Sequence, residues 1–567
     1  MNEVKLPYGL SNFEQVATND YVFVDKTYLI PPLEKERFVS YLRPRRFGKS
    51  LFLSILEYYY DVLRKDKFQK LFGKYYIGQN PTPLANSYRI LNFNFSGINT
   101  DTRESSQQGF NFSVEMSIRG FCNRYSLFTE KQEDKIFKTN DAEEILTAFF
   151  DLYVNHVQNP IYILIDEYDH FTNEILYRNF KDSVSKNGYV RKFYEVIKTA
   201  TQQGVVARVF ITGVSPITLD SLTSGFNILK HLTHKVEFET LMGFTENEVK
   251  NLLNLVLIDK NKENEIMGEL KRWYNGYKFY PFSEQQLYNS DMILYFLDEF
   301  KSEQRMPLRM LDPNIMPDYG KLKQMFEVIN VKKNQEVLQE ILENNYINAE
   351  LIYQFNMERD FGKKEFVNFL YYLGNLTIQE ANLMGEVKFK IPNQVISDLY
   401  WQYYADYIQK HYEIPHDADI VTEYVREMGL EGKYARFFKL IQEVLEHLSN
   451  RDFIYFDEKH IKMLLMAYFY QANLFYVVSE REVKNAGYID LELHKKPQNR
   501  GQHKEYAMEI KYLKKANKVQ LAEVQQQAKT QLLSYYHHDP VLQAKPDLLL
   551  LTVVIIKSKV FVQKIEI

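Results

Sequence analysis

A glycine-lysine-serine tripeptide follows the first strongly apolar segment of the chain. Residues 38–42 are strand-like, and Gly48-Lys49-Ser50 leads from them into the helical spacing that begins at Leu51. This order of strand, loop and helix is the context of a phosphate-binding loop, in which backbone amides and the helix N-terminus face phosphate oxygens. Glycine lets the backbone approach closely, lysine supplies positive charge, and the serine hydroxyl can complete a Mg²⁺ shell. The residues expected to contact a triphosphate are Arg46, Phe47, Gly48, Lys49, Ser50 and Leu51.

A second apolar segment supplies carboxylates. Residues 161–165 are followed directly by Asp166 and Glu167. Ligands bind beyond the carboxyl ends of the strands in open α/β sheets, so these acids are expected beside the loop. We expect Asp166 to hold Mg²⁺ together with Ser50, and Glu167 to polarise the water that attacks the γ-phosphate.

A third strand-like segment, 205–212, ends in polar residues. Thr212 or Ser215 could sense the γ-phosphate, although capping of the strand end explains either hydroxyl as well. An alternative also exists for the loop itself, namely a basic turn that caps a surface helix. The first glycine of the usual Gly-x4-Gly-Lys-Ser/Thr pattern is Arg43 here, so the carboxylates carry much of the prediction.

A different set of charged residues lies near the C-terminus. Asp490 occurs in one alternating segment, and Glu509 and Lys511 occur two residues apart in another, which places those two on one face of a strand. Glu480 precedes them. Two or three carboxylates that hold a divalent ion, with a lysine beside the attacking water, can cleave a phosphodiester bond. The predicted metal ligands are Glu480, Asp490 and Glu509, and Asp490, Glu509 and Lys511 are the predicted catalytic residues.

Two neighbouring features agree with this chemistry. Residues 494–518 contain eight Lys or Arg and two Glu, a net charge of +6, which suits a phosphate backbone. Gln531 and Tyr535 are one helical turn apart in the following segment. The alternative is a strand hairpin with exposed charges.

The composition excludes several classes of protein. The chain has 567 residues, a net charge of −4, 45% hydrophobic residues and one cysteine. Disulfide frameworks and cysteine-rich zinc sites are therefore excluded. The longest apolar run, 548–556, is far shorter than the roughly 18 residues that span a bilayer. We expect a cytoplasmic protein that does not enter the membrane.

The pattern of elements predicts an α/β protein with several domains. Strand-like segments at 38–42, 88–95, 161–165 and 205–212 alternate with helical spacing, which indicates a P-loop parallel sheet. Thr245 and Glu248 predict a capping box that begins a helical region. The predicted domains are 1–240, a P-loop ATPase core; 241–320, a helical lid that ends in a proline-rich linker at 306–317; 321–455, a helical connector with one hairpin, possible also as a winged helix; and 456–567, a C-terminal α/β domain.

Several motifs resemble, in order, those of the bacterial AAA-ATPase-like family. They are Phe23-Val24-Asp25-Lys26-Thr27, Leu42-Arg43-Pro44-Arg45-Arg46-Phe47-Gly48-Lys49-Ser50-Leu51, Ile165-Asp166-Glu167-Tyr168-Asp169, Ile211-Thr212-Gly213-Val214-Ser215 and Trp273-Tyr274-Asn275-Gly276-Tyr277-Lys278-Phe279. The resemblance implies a nucleotide site at Gly48, Lys49, Ser50, Asp166 and Glu167, and a C-terminal domain of the PD-(D/E)XK nuclease type.

Two functions from different classes follow. The first is an ATPase that uses ATP and Mg²⁺ and is coupled to metal-dependent cleavage of nucleic acid, with DNA favoured over RNA. The second is a nucleotide switch or scaffold that does not hydrolyse ATP and whose C-terminal domain binds nucleic acid or a protein without cutting it. A homo-oligomer that assembles on nucleotide binding is a third hypothesis.

Overall fold

A computed structural model describes most of the chain. The described residues are 4–156, 158–169, 188–216, 226–314, 322–323, 325–326, 331–355, 361–382, 385–411, 418–447, 457–498, 504–515 and 517–567. They form two compact units, one of residues 1–304 and 309–394 and the other of residues 305–308 and 395–567. The proline-rich segment predicted as a linker at 306–317 lies partly outside the described residues. The boundaries of the four predicted domains stay a prediction.

The first unit is built on a parallel sheet. Its strands are β1 (Phe38–Leu42), β2 (Arg89–Asn94), β3 (Ile161–Asp166), β4 (Val206–Gly213) and β5 (Lys230–His231). Their spatial order is β2-β3-β4-β1-β5, and every neighbouring pair is parallel. Because only β4 separates β1 from β3, the carboxyl ends of β1 and β3 lie about 10 Å apart at the usual strand spacing. The predicted strands are confirmed, and they bring the loop after β1 close to the acids at the end of β3.

Helices surround this sheet, and their apolar residues form its core. The helices up to β5 are α1 (Phe13–Thr18), α2 (Ile30–Leu33), α3 (Lys49–Tyr60), α4 (Phe68–Phe72), α5 (Tyr76–Gln79), α6 (Arg103–Tyr125), α7 (Glu130–Ile136), α8 (Ala142–Tyr153) and α9 (Gly188–Gln202). The β3 strand is apolar on both faces and buried from Ile161 to Ile165, as expected of a strand covered by helices on two sides.

A helical region follows the sheet. Its helices are α10 (Glu246–Val256), α11 (Glu263–Tyr274) and α12 (Ser290–Glu303). The capping box predicted at the start of α10 is confirmed: the Glu248 amide donates to the Thr245 hydroxyl, and the Thr245 amide donates to the Glu248 carboxylate. The side chains of Trp273 and Tyr274 at the end of α11 are buried, which agrees with a packing role for these aromatic residues.

The rest of the first unit contains a small antiparallel sheet. Its elements are α13 (Val331–Asn344), β6 (Ile347–Glu350), α14 (Lys363–Tyr372), β7 (Thr377–Ala381) and β8 (Glu386–Lys390), with strand order β6-β8-β7. The predicted hairpin is therefore confirmed as β7 and β8. The side chains of α14 from Phe366 to Tyr372 are buried, so this helix offers little surface for reading DNA. That burial favours the connector interpretation over a DNA-contacting winged helix.

The second unit combines helices with a mixed sheet. Its helices are α15 (Gln394–His411), α16 (Ala418–Glu431), α17 (Ala435–His447), α18 (Glu458–Ala472), α19 (Lys518–His538) and α20 (Pro540–Gln543). Its strands are β9 (Phe475–Val483), β10 (Gly487–Lys495), β11 (Glu505–Leu513), β12 (Leu548–Ile556) and β13 (Lys559–Ile565). The strand order is β13-β12-β11-β10-β9, and only β11 and β12 are parallel, with α19 as the crossover between them.

Candidate functional sites

The loop between β1 and α3 has the backbone of a phosphate cradle. Gly48 precedes the first turn of α3 in the left-handed region, at φ 89°, and Arg46 is also left-handed, at φ 68°. The buried Lys49 ammonium donates to the carbonyls of Arg43 at 3.1 Å and Pro44 at 2.9 Å. Burial lowers the pKa of Lys49, while the negative charges of Asp166 and Glu167 oppose that shift. The lysine thus lies inside its own loop, facing the acids at the end of β3.

The hydroxyl and carboxylate predicted to hold Mg²⁺ are in direct contact. The Ser50 hydroxyl donates to Asp166 Oδ2 at 2.6 Å, and the Glu167 amide donates to Asp166 Oδ1 at 3.0 Å. Burial raises the pKa of Asp166, and the Ser50 hydrogen bond and the Lys49 charge oppose this. Oxygen donors of this kind suit Mg²⁺, which is usually held by one or two protein groups together with phosphate oxygens.

A cavity of about 470 Å³ adjoins this loop. This volume falls in the range of small-molecule sites. All six residues predicted to contact a triphosphate, from Arg46 to Leu51, line it, and so does Glu167. Arg45, Phe52 and Ile55, from the loop and α3, also line it. Sequence reasoning did not assign the remaining wall to the site. That part comes from the N-terminal segment and from the region around α10 and α12: Pro7, Gly9, Leu10, Ser11, Val22, Phe23, Val24, Lys26, Leu241, Met242, Gly243, Phe244, Leu252, Ser290, Asp291 and Leu294. These residues are mostly apolar and would surround a base rather than a phosphate.

The two sensor candidates, Thr212 and Ser215, already make hydrogen bonds to other residues of the fold. Thr212 is fully buried and donates its hydroxyl to the carbonyl of Tyr41, in the neighbouring strand, at 2.9 Å. The Ser215 amide and hydroxyl both donate to the buried carboxylate of Asp169. Both hydroxyls therefore make hydrogen bonds at the end of β4, as expected if they cap the strand. A sensor role for Thr212 stays a prediction. Asp169 was missed as a structural residue because only the folded chain brings it to this turn.

Arg43 has a role of its own in place of the missing glycine. Its side chain is 1% exposed and lies over the rings of Tyr41 and Phe279 at 4.2 and 4.0 Å. Its guanidinium donates to the carbonyls of Leu42, Thr233 and Glu239. Burial lowers its pKa. The arginine therefore anchors the loop to the segment after β5, which glycine could not do.

We expect Arg43→Met to lower the free energy of unfolding of the first unit by roughly 2–4 kcal/mol, because the substitution leaves buried carbonyls without a donor. Differential scanning calorimetry measures the effect as a lower transition temperature. The matched control is Arg37→Met at an exposed position, where we expect about 0.5 kcal/mol or less. Equal transition temperatures for both variants would contradict the anchoring role.

The second site lies on one face of β10 and β11. Leu491 pairs with Met508 in antiparallel register, so Asp490 lies opposite Glu509. Asp490 Oδ2 accepts a hydrogen bond from the Ile510 amide at 2.7 Å. The Lys511 ammonium is 2.8 Å from Glu509 Oε1, and Glu509 Oε2 is buried with no hydrogen-bond partner among the described residues. The structure thus brings the three predicted catalytic residues together.

The electrostatics of this pair of acids favour a bound cation. Burial and then the charge of Asp490 raise the pKa of Glu509 to about 7, and burial also raises the pKa of Asp490. Burial opposes ionisation of Lys511, but its hydrogen bond and attraction to Glu509 leave its pKa raised. Two buried carboxylates that repel each other, one with an unpartnered oxygen, are a donor set that a divalent ion fits.

Glu480, the third predicted metal ligand, lies next to the paired acids and contacts a lysine. It lies opposite Asp490 in β9 but is left-handed, at φ 54°, and its half-exposed carboxylate pairs with Lys462. Within the described ranges, no three His, Cys, Asp or Glu side chains are grouped so that they alone could hold a metal. Lys511 and Lys462 offset only part of the charge of these acids, and Glu480 stays a prediction as a ligand.

Sequence reasoning missed Glu458, in the first turn of α18. Its carboxylate is 3.8 Å from Lys511 and accepts a hydrogen bond from the Tyr512 amide. The sequence feature that could have pointed to Glu458 is its position directly after Asp457, the N-cap of a buried helix. Tyr535 on α19 also interacts with the site: burial raises its pKa, and the charges of Glu509 and Asp490 add to the rise. On the same helix, Gln531 Oε1 is buried without a hydrogen-bond partner among the described residues.

Raised carboxyl pKa values predict how stability depends on pH. Glu509 ionises near pH 7 in the folded chain but at its ordinary value, 4.5, when unfolded. Between these values the folded state binds more protons, so the free energy of unfolding should fall as the pH rises from about 4.5 to 7. The measurement is the thermal midpoint of wild type and of Glu509→Gln in EDTA at several pH values. The difference between the two midpoints isolates the contribution of Glu509. A difference that is constant over this range, or that favours wild type more at high pH, would contradict it.

No helix in the described part of the chain is long and apolar enough to cross a membrane.

Comparisons with known proteins find family matches in two parts of the chain. Residues 7–223 match the family described as predicted AAA-ATPase, and residues 456–565 match the PD-(D/E)XK nuclease superfamily. The predicted fold class is confirmed: a parallel P-loop sheet, a helical middle and a C-terminal α/β domain of the PD-(D/E)XK type.

One curated relative and two solved structures align with the chain. An uncharacterized protein in the vnfD 5′ region of Azotobacter chroococcum mcd 1 is 25% identical over 315 residues, which are 52% of this chain and 52% of the relative. The chain therefore spans about half the length of that relative. The Walker-type ATPase PABY2304 of Pyrococcus abyssi is 12% identical with a TM-score of 0.39, over 70% of this chain and 99% of that one. The Aeropyrum pernix ORC1 protein in complex with DNA is 10% identical with a TM-score of 0.28, over 69% and 97%.

The match to the predicted AAA-ATPase family includes the phosphate loop with its acids, and the match to the PD-(D/E)XK nuclease superfamily includes the paired carboxylates with their lysine.

Proposed function

We propose that the chain binds and hydrolyses ATP with Mg²⁺ and that its C-terminal domain cleaves phosphodiester bonds in DNA with a divalent metal ion, under the control of the nucleotide site. The observation that supports the proposal is the arrangement of side chains in the two candidate sites. Ser50 contacts Asp166 beside Lys49, and Asp490 lies opposite Glu509 beside Lys511.

In the nucleotide site each residue has a distinct task. Lys49 would leave its loop carbonyls for the β- and γ-phosphates, where its charge is stronger in a buried site than in water. Ser50 and Asp166 would hold the Mg²⁺ that neutralises the phosphates. Glu167, at the cavity wall, would accept a proton from the attacking water. Apolar residues around α10 and α12 would enclose the base.

In the nuclease site Asp490 and Glu509 would hold the cation, and Lys511 would orient the attacking water. A divalent cation bound there supplies an activated water and positive charge beside the scissile phosphate. With a cation bound, Glu509 would be ionised, and the Lys511 ammonium would turn from the Glu509 carboxylate toward the attacking water. Water would attack phosphorus and lose a proton to the solvent, the P–O bond to the leaving oxygen would break, and that oxygen would take a proton from a solvent water.

One observation favours a switch that binds ATP without hydrolysing it. Arg43 fixes the start of the phosphate loop against Phe279 and the carbonyls after β5, which restricts the rearrangement of the loop during turnover. Under this alternative the nucleotide would still set the state of the chain, and the C-terminal domain would bind without cutting.

Two measurements separate the ATPase–nuclease from the switch. They are ATP turnover and cleavage of supercoiled plasmid in Mg²⁺ or Mn²⁺, the latter with ATP, ADP or a non-hydrolysable ATP analogue. Turnover together with cleavage that depends on the nucleotide supports the first function. ATP binding without turnover, and without cleavage in either metal, supports the switch. Glu167→Gln is the internal control, because it should keep ATP binding and lose turnover only if hydrolysis occurs.

A further inference from the structure

A second lysine faces the acids of the nuclease site from α18. Lys462 is one helical turn after Glu458, so both side chains lie on the same face of that helix. Its side chain is 12% exposed, and its ammonium pairs with Glu480. The catalytic scheme above uses neither Lys462 nor this ion pair.

The charge of Lys462 reaches the centre of the site. Burial raises the pKa of both Asp490 and Glu458, the charge of Lys462 opposes that rise, and the charge of Glu480 adds to the rise for Asp490. Four acids therefore face two lysines: Lys511 contacts Glu509 and Glu458, and Lys462 contacts Glu480. The two lysines offset part of the negative charge of the four acids.

A metal ion changes this balance. If Asp490 and Glu509 hold a divalent cation, the Glu480 carboxylate opposite Asp490 would turn toward it, and Lys462 would lose its partner. A lysine ammonium is a compact charge that binds phosphate oxygens. The released ammonium of Lys462 would then lie on the α18 side of the metal, with Lys511 on the β11 side.

We propose that Lys462 binds a non-bridging phosphate oxygen of the nucleic-acid substrate, and that Glu480 holds it away from substrate until a divalent cation is bound. The inference rests on the proposed nuclease function and adds to it a substrate-binding residue and a reason for ordered binding, metal first and nucleic acid second. No bond is made or broken at Lys462, because it exchanges one anionic partner for another.

The test is binding of a short fluorescein-labelled DNA duplex, followed by fluorescence anisotropy in Ca²⁺ and in EDTA. In Ca²⁺, Lys462→Ala should weaken binding about tenfold, or about 1.4 kcal/mol, and reduce the salt slope by about one. Lys462→Arg should keep most of the affinity. The matched control is Lys459→Ala on the exposed face of the same helix, which should bind as wild type does.

The EDTA series separates this role from a structural ion pair. Without metal, Lys462→Ala should leave DNA affinity unchanged, because Glu480 already occupies the lysine. Glu480→Gln should raise affinity in EDTA, and the double variant Lys462→Ala/Glu480→Gln should return it to the wild-type value. An equal loss for Lys462→Ala in both buffers, or no gain for Glu480→Gln, would overturn the proposal.

Failure of the wider function gives a different result. If wild type binds no duplex in either buffer, both the nuclease function and the role of Lys462 are overturned. If wild type binds and cuts, Asp490→Asn abolishes cutting, and Lys462→Ala equals wild type in Ca²⁺, only the inference about Lys462 fails.

Discussion

Asp490→Asn should abolish metal-dependent cleavage while leaving a folded protein with unchanged ATP turnover. The amide has the shape of the carboxylate and can still accept the hydrogen bond from the Ile510 amide. It removes the charge that, with Glu509, would hold the cation, so we expect the rate of plasmid cleavage to fall roughly 100-fold or more. Initial rates of nicking in Mg²⁺ and Mn²⁺ measure the effect.

The same variant should be more stable than wild type when metal is absent. Burial raises the pKa of Asp490, so its ionisation destabilises the folded state at neutral and higher pH. The neutral amide removes that penalty, and each kcal/mol recovered raises Tm by about 2–4 °C. Glu482→Gln, at an exposed position of β9, is the control for loss of a carboxylate. Undiminished cutting by Asp490→Asn would refute the assignment of the nuclease site.

Lys49→Ala should weaken ATP binding by roughly 10- to 150-fold and reduce turnover to background. The range corresponds to about 1.5–3 kcal/mol for hydrogen bonds to charged groups. The ammonium lies within the loop, 2.9 Å from the Pro44 carbonyl, and lines the cavity in which the triphosphate would bind. Isothermal titration calorimetry with ATP and Mg²⁺ measures the affinity, and phosphate release measures turnover.

A surface lysine provides the comparison for this variant. Lys70→Ala, at an exposed position of α4, should bind and hydrolyse ATP as wild type does. Calorimetric heats for Lys49→Ala that equal those of Lys70→Ala would place the triphosphate elsewhere. If nucleotide controls the nuclease, Lys49→Ala should also lose the ATP dependence of plasmid cleavage while keeping any cleavage that occurs without ATP.

Local pattern was enough to predict the elements that carry both sites. An apolar strand that ends in Asp166 and an alternation that contains Asp490 are properties of adjacent residues, so both strands could be read from the chain. The period of two also placed Glu509 and Lys511 on one face. These strands could therefore be predicted from local sequence pattern without knowledge of the tertiary fold.

Long-range packing decided what could not be predicted. The N-terminal residues that line the cavity and the contact of Glu458 with Lys511 join segments far apart in sequence. Thr212 was a sensor candidate because it ends a strand, but the adjacent strand uses its hydroxyl. Glu480 has the left-handed backbone of a residue that interrupts the strand, and single-sequence periodicity does not register such an interruption.

The buried guanidinium of Arg43 also limits how this sequence can evolve. A single change from arginine to the glycine of an ordinary phosphate loop would open an empty space between Tyr41 and Phe279 and remove the donors of three carbonyls at once. Return to glycine therefore requires compensating changes on both sides of that gap before it becomes tolerable. Mutational libraries at position 43 should accordingly recover glycine only together with second-site replacements that refill the gap.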